Sequence, residues 1–185
     1  MTDLEIFCRQ VRARSKDHAK AIDVLYRENI PSQIISILRQ ELDSMIRVIY
    51  LLSIKDITYR NELITASVHG KEWKEKNTKK RITDRKMADL ANELQGWTKS
   101  VYSFGCAFIH LSNFHDYKQR DPLSMISNEE REAIISHMKA YHFGPQNPKP
   151  KFSDLIPYLP SVFSKIKSNL EVYIIDLQNG ETIEE

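Results

Sequence analysis

The chain has 185 residues, 41% hydrophobic and 28% charged, enough for one domain whose core needs neither disulfides nor metals. Five glycines are too few for a turn-rich β protein, and the apolar content is too high for a disordered one. A net charge of +2 is close to neutral, so it argues neither for nor against nucleic acid as a partner.

The first helix is predicted from about Asp3 to Arg27. Leu4, Cys8, Val11, Ser15, His18, Ile22 and Leu25 recur at alternating steps of four and three, an apolar stripe with a polar middle. Pro31 opens the second helix, which runs to about Ile54. Ile34, Ile35, Leu38, Leu42, Met45, Ile46, Ile49 and Leu52 give it a broad apolar face directed at the core. A third helix, about Thr58–Val68, stops at His69 and Gly70.

Lys71–Arg81 then reads as an exposed basic loop. Between Lys71 and Lys86 eight basic residues face three acidic ones, Glu72, Glu75 and Asp84. Asp84 is a candidate cap for a helix over Arg85–Leu94, closed by Gly96. The next helix, about Trp97–Tyr117, carries no formal charge between Lys99 and Asp116 and is apolar on most sides, as expected of a helix surrounded by others. Gly105 within it suits the close approach of a neighbour. Ser127 and Glu130 match a capping box for a helix to about Ala140. A connection rich in proline follows over Phe143–Lys151, and Pro160 opens a last helix ended by Asn179 and Gly180. No repeat and no alternating strand pattern occurs. The predicted fold is an all-α, up-and-down bundle of about five to seven helices forming a single domain.

Cys8 and Cys106 lie in helical, apolar surroundings and read as small buried hydrophobes rather than a disulfide framework. The longest uncharged stretch, Ser100–His115, falls short of the ~20 residues a membrane span requires. The start of the chain lacks the pattern of a signal peptide, so the expected setting is cytoplasmic, away from membranes. The last ten residues carry Asp176, Glu181, Glu184 and Glu185 and no basic residue.

P-loop, GxGxxG, GxSxG, CxxC, HExxH and Glu-x-x-His patterns are absent, and no metal or cofactor is expected. Three constellations remain. The first is His110, Asn113 and His115, whose histidines are about 140° apart on a helix and do not converge as metal ligands would. Its structural alternative makes His110 a hydrogen-bonded core histidine and His115 a helix-end residue favoured by the dipole. The second is Arg39, Asp43 and Arg47, one helix side with Asp43 between two guanidiniums. It is either an exposed ion-pair ladder or the edge of a cleft in which Arg39 or Arg47 holds a phosphate. The third is Lys79, Lys80 and Arg81 with Trp73 nearby, able to hold single-stranded nucleic acid by charge and stacking, or simply a solvated loop.

The helix around Ile34–Asp43 and the segment Leu111-Ser-Asn-Phe-His115 resemble those of the HEPN-like helical domains. That resemblance covers about a third of the chain. It implies a homodimer that joins an arginine and a histidine in a shared cleft, and a metal-independent ribonuclease. In such an enzyme the histidine moves protons while the arginine holds phosphate. His115 matches the histidine, with Asn113 as a polar neighbour. The motif arginine is absent, because its positions hold Phe108, Ile109 and His110. His110 could replace it, Arg39 or Arg47 could supply the cation, or catalysis could be lost. The same spacing recurs at Arg12 with His18 and at Arg131 with His137. The leading expectation is a dimer that binds RNA, a nucleotide or another phosphate-bearing ligand, with or without cleavage. A noncatalytic protein-interaction or assembly module is the other.

Overall fold

Side chains that satisfy free amides mark where four of the eight α-helices among the described residues start. In the computed structural model, which describes residues 1–183, Thr2 and Glu5 form a capping box for α1 (Asp3–Arg27), and Pro31 sits in the first turn of α2 (Pro31–Ser53). Asp56 accepts from the Tyr59 amide at the start of α3 (Ile57–Val68). Thr83 accepts from the Lys86 amide ahead of α4 (Asp84–Gln95), and Gly96 closes that helix in the left-handed region. α5 covers Thr98–Ile109. Ser127 and Glu130 form the predicted capping box of α6 (Asn128–His142). A single turn, α7 (Phe152–Leu155), precedes α8 (Leu159–Gln178). The fold is all-α, and among the described residues the sole β-type pairing is an isolated bridge between Lys74 and Arg81.

The bundle is built around α2. It packs against α1, α4, α5 and α8, and Leu42, Met45, Ile46, Val48, Ile49, Leu51 and Leu52 have no exposed surface. α1 runs antiparallel to it, since Arg14 meets Ser44 and His18 meets Glu41. α5 is antiparallel on another side, where Phe108 lies at the level of Ser36 and Cys106 at that of Arg39. Arg60 of α3 is buried and donates to the carbonyls of Ile54 and Glu181, tying the end of α8 to the end of α2. No helix among the described residues is long and apolar enough to cross a membrane. Glu184 and Glu185 of the acidic tail lie outside the described residues.

Three elements differ from expectation. α5 ends at Ile109 and does not reach Tyr117: His110 turns to an extended conformation (ψ 148°), and the Ser112 hydroxyl donates to the Ala107 carbonyl at 2.6 Å. The same oxygen accepts from the Phe114 amide and opens a 3-10 turn over Asn113–Asp116. A serine that serves both backbone ends competes with helix continuation. Asp84 does not cap α4, because Thr83 takes that position and leaves the carboxylate free for arginines. The basic segment is not a loose loop either. Trp73 and Ile82 are buried, and the Ile82 amide donates to the Trp73 carbonyl, so the segment is a folded hairpin pinned to the core.

Candidate functional site

The break in α5 decides where the histidines go. His110, Asn113 and His115 are all exposed, so His110 is not the core histidine of the structural alternative, and His115 lies beyond the helix end rather than at its last turn. The His115 ring stands 6.1 Å from the Phe108 ring, and its Nε2–H donates to the His110 carbonyl at 3.1 Å. That bond selects the neutral tautomer in which Nδ1 is the open base. Among the described residues no carboxylate orients either histidine.

Arg39 and Arg47 stand elsewhere. From Ser36, level with Phe108, to Arg47 the helix rises about 16 Å, and the polar and aromatic partners of the two arginines among the described residues are Cys106, Asp43, Asp84, Tyr102 and Trp73 rather than His115. Arg39 is neither a member of an exposed ladder nor on the edge of a cleft: it is 5% exposed. Its guanidinium carbon lies 4.1 Å from the Tyr102 ring centre, its Nε 3.5 Å from Cys106 Sγ, and its Nη2 3.8 Å from Asp84. Burial opposes the charge, but Cys106, Asp43 and Tyr102 outweigh it and the pKa is raised. Cys106 is accordingly half-buried beside a cation rather than an inert core residue, while Cys8 is buried as expected. Gly105 permits this arrangement, because a Cβ there would sit 2.6 Å from Arg39 Cβ.

Asp43 pairs with Arg47 but does not come within ion-pair distance of Arg39, on which its charge acts only from further off. Its Oδ2 accepts from Arg47 at 3.2 Å and faces Arg14 of α1 at 3.6 Å, while Oδ1 is buried without a partner. Arg47 also donates to Asp84 at 2.8 Å and lies 5.4 Å from the Trp73 ring. Two aspartates thus occupy the guanidiniums proposed to hold phosphate, and the cluster locks α1, α2 and α4 together.

The hairpin over residues 71–83 presents the opposite situation. Three of the cations between Lys71 and Lys86 are paired: Lys76 with Asp56, Arg81 with Glu72 and Lys86 with Glu75. Lys71, Lys74, Lys79, Lys80 and Arg85 are exposed and have no ion pair among the described residues. Trp73 is not a stacking platform, being 4% exposed, packed at 6.0 Å on Tyr50, and donating through Nε1–H to Ser67 Oγ. Its burial instead fixes the hairpin that displays the lysines.

A buried polar knot was not foreseen. Glu41 has no exposed surface, yet accepts from Ser15 Oγ and, at 2.6 Å, from Nδ1 of His18. The polar middle of the α1 stripe was the available signal; its partner on α2 was hidden among apolar neighbours. Arg12 does not join His18, because it turns to Glu171 and Gln178 of α8. Arg131 bonds Asn128 while His137 meets Ser100 Oγ at 3.2 Å, so that pair is also apart. Comparison with models of protein families, with curated proteins and with solved structures finds no significant match to this chain.

Proposed function

We propose that the chain is a HEPN-like helical protein that binds RNA or another phosphate-bearing chain, with the hairpin between α3 and α4 as its contact surface. The observation that carries the reading is the set of five exposed cations without an ion pair among the described residues, Lys71, Lys74, Lys79 and Lys80 on a segment anchored by buried Trp73 and Ile82 and Arg85 in the first turn of α4 beside it. Glu72 and Glu75 of the same segment are engaged by Arg81 and Lys86, so the exposed cations beside them are in excess and can attract a polyanion. Arg39 and Arg47 serve this surface from behind, as the cluster that anchors Asp84 at its base.

The ribonuclease activity and the homodimer rest on the resemblance and on His115 alone. With Nε2 engaged by the His110 carbonyl, Nδ1 is the nitrogen that would act as the base, while a phosphate-holding arginine would have to come from a second copy. Fluorescence anisotropy with a labelled single-stranded RNA tests the binding. Combining Lys74→Glu, Lys79→Glu and Lys80→Glu should abolish it with the melting temperature unchanged, and retained affinity would rule the hairpin out. Cleavage by the wild type that His115→Ala removes without loss of binding would assign catalysis to that histidine.

The interaction-module reading is favoured by one feature: Leu111 is 95% exposed and Ile109 43%, both at the break after α5. If that turn is a protein contact, light scattering should report an assembly that Leu111→Asp dissociates.

A further inference from the structure

An apolar recess of about 80 Å3, open to solvent, lies under α6, lined by Ile35 and Leu38 of α2, Phe104 of α5, Met138 of α6, Leu155 of α7 and Val162 of α8. Its lining is almost wholly apolar, so water in it finds few partners and an apolar guest would gain dispersion contacts. The hollow has about half the volume of an apolar cavity that admits benzene. The recess is open to solvent, so a flexible acyl tail can enter it in part while its head stays at the mouth.

Its mouth carries a charge without a counterion. Lys165 lines the pocket, with Nζ 4.2 Å from the Tyr141 ring centre and 5.5 Å from that of Trp97, and no carboxylate lies within ion-pair distance of it among the described residues. Aromatic faces hold an ammonium in place but leave its hydrogen-bonding capacity unspent. His142 and His137 line the same pocket, both partly buried, and His137 already meets Ser100 Oγ. Burial lowers the pKa of each, with Lys165 adding to the effect at His142, so both imidazoles are neutral N–H donors at neutral pH. An ammonium and an imidazole at the rim of an apolar recess complement a single anionic head on an apolar tail.

The wall can adapt to a guest. α6 has one buried residue, Met138, whose unbranched side chain reshapes easily. Further along the same groove between α5 and α6 lies a second hollow of about 310 Å3 that includes Ser103, Ile126 and Ala133, and Ile134 lines both.

We propose that the hollow under α6 binds a small amphipathic carboxylate, its acyl tail against Phe104, Met138 and Leu155 and its carboxylate on Lys165 and His142. Isothermal titration of the full chain with hexanoate, hexanol and hexylamine tests this. Hexanoate should bind about ten-fold tighter than hexanol, the value of one charge-assisted contact, and hexylamine should bind weakest. Lys165→Gln should bring hexanoate down to the affinity of hexanol and leave hexanol unchanged. The Met138 methyl resonance of the wild type should shift saturably with hexanoate, a readout that needs no variant to fold. Absence of that shift at millimolar hexanoate, equal binding of acid and alcohol, or indifference to Lys165→Gln would each overturn the proposal.

Discussion

Glu41 is a carboxylate with no exposed surface on the most apolar helix of the chain, and it is accommodated because Ser15 and His18 donate to its two oxygens. Breaking such a group one-sidedly is expensive, since a partner is left unpaired in a dry interior. Glu41→Ala should destabilise the fold by about 3 kcal/mol or more in urea unfolding, whereas replacing Ser15, His18 and Glu41 together by apolar residues should recover much of that loss. Gly105 gives a second residue-scale prediction. Alanine is the better helix former, but its Cβ would meet Arg39 Cβ, a stem atom close to the backbone, at 2.6 Å. Gly105→Ala should therefore lower stability, by about 1–3 kcal/mol as overpacking does, and a gain would show that α5 and α2 can separate freely. The sequence made Gly105 legible as a point of close approach and marked Ser15 and His18 as polar positions in an apolar stripe. It did not reveal Glu41 as their partner, because the facing register of two helices is a property of the packed pair.

At the scale of elements, caps and punctuation carried most of the information: the Ser127–Glu130 box, Pro31 and Gly96 all lie at the boundaries read from them. The uncharged run after Lys99 misled, since the Ser112 hydroxyl ends α5 by bonding backbone rather than by introducing a charge or a proline. That one break moved His110 and His115 from a helix to an exposed turn, and with them the candidate site. The basic segment misled in the other direction, because a tryptophan among lysines reads as solvent-facing until its burial is seen. Trp73→Ala should cost about 3 kcal/mol, as truncating a buried aromatic does, and should open residues 71–83 to proteolysis. In α6 and its surroundings, His137 and His142 have folded pKa values below their ordinary value, mainly through burial. The unfolded chain then takes up protons first as pH falls, so their contribution to stability declines as pH drops through about 6.5 and levels off below the folded pKa values. Unfolding curves of the wild type and of His137→Asn/His142→Asn should converge towards acid pH, and parallel curves would mean that these imidazoles are as well solvated folded as unfolded.

For the whole molecule, the apolar periodicities of α1, α2 and α8 were enough to specify an all-α bundle, because each stripe has to be buried against another. Which polar groups meet across helices was not legible. Arg39 and Arg47 reach Asp84, from a helix thirty-seven residues beyond Arg47, only once α2, α4 and α5 have packed. The result is a division of labour: α1, α2 and α4 share an internal network of arginines and aspartates, and the cations left over are displayed on the hairpin beside it. Binding that depends on such a surface releases counterions, whereas docking through Leu111 would not. The salt dependence of single-stranded RNA binding, measured by anisotropy, therefore addresses the central claim. With five cations engaged, log Kd should rise against log salt with a slope of about 3.5, and the Lys74→Glu/Lys79→Glu/Lys80→Glu variant should lose at least about 2 of it. Binding that is independent of salt, or a slope that the variant leaves unchanged, would contradict the account.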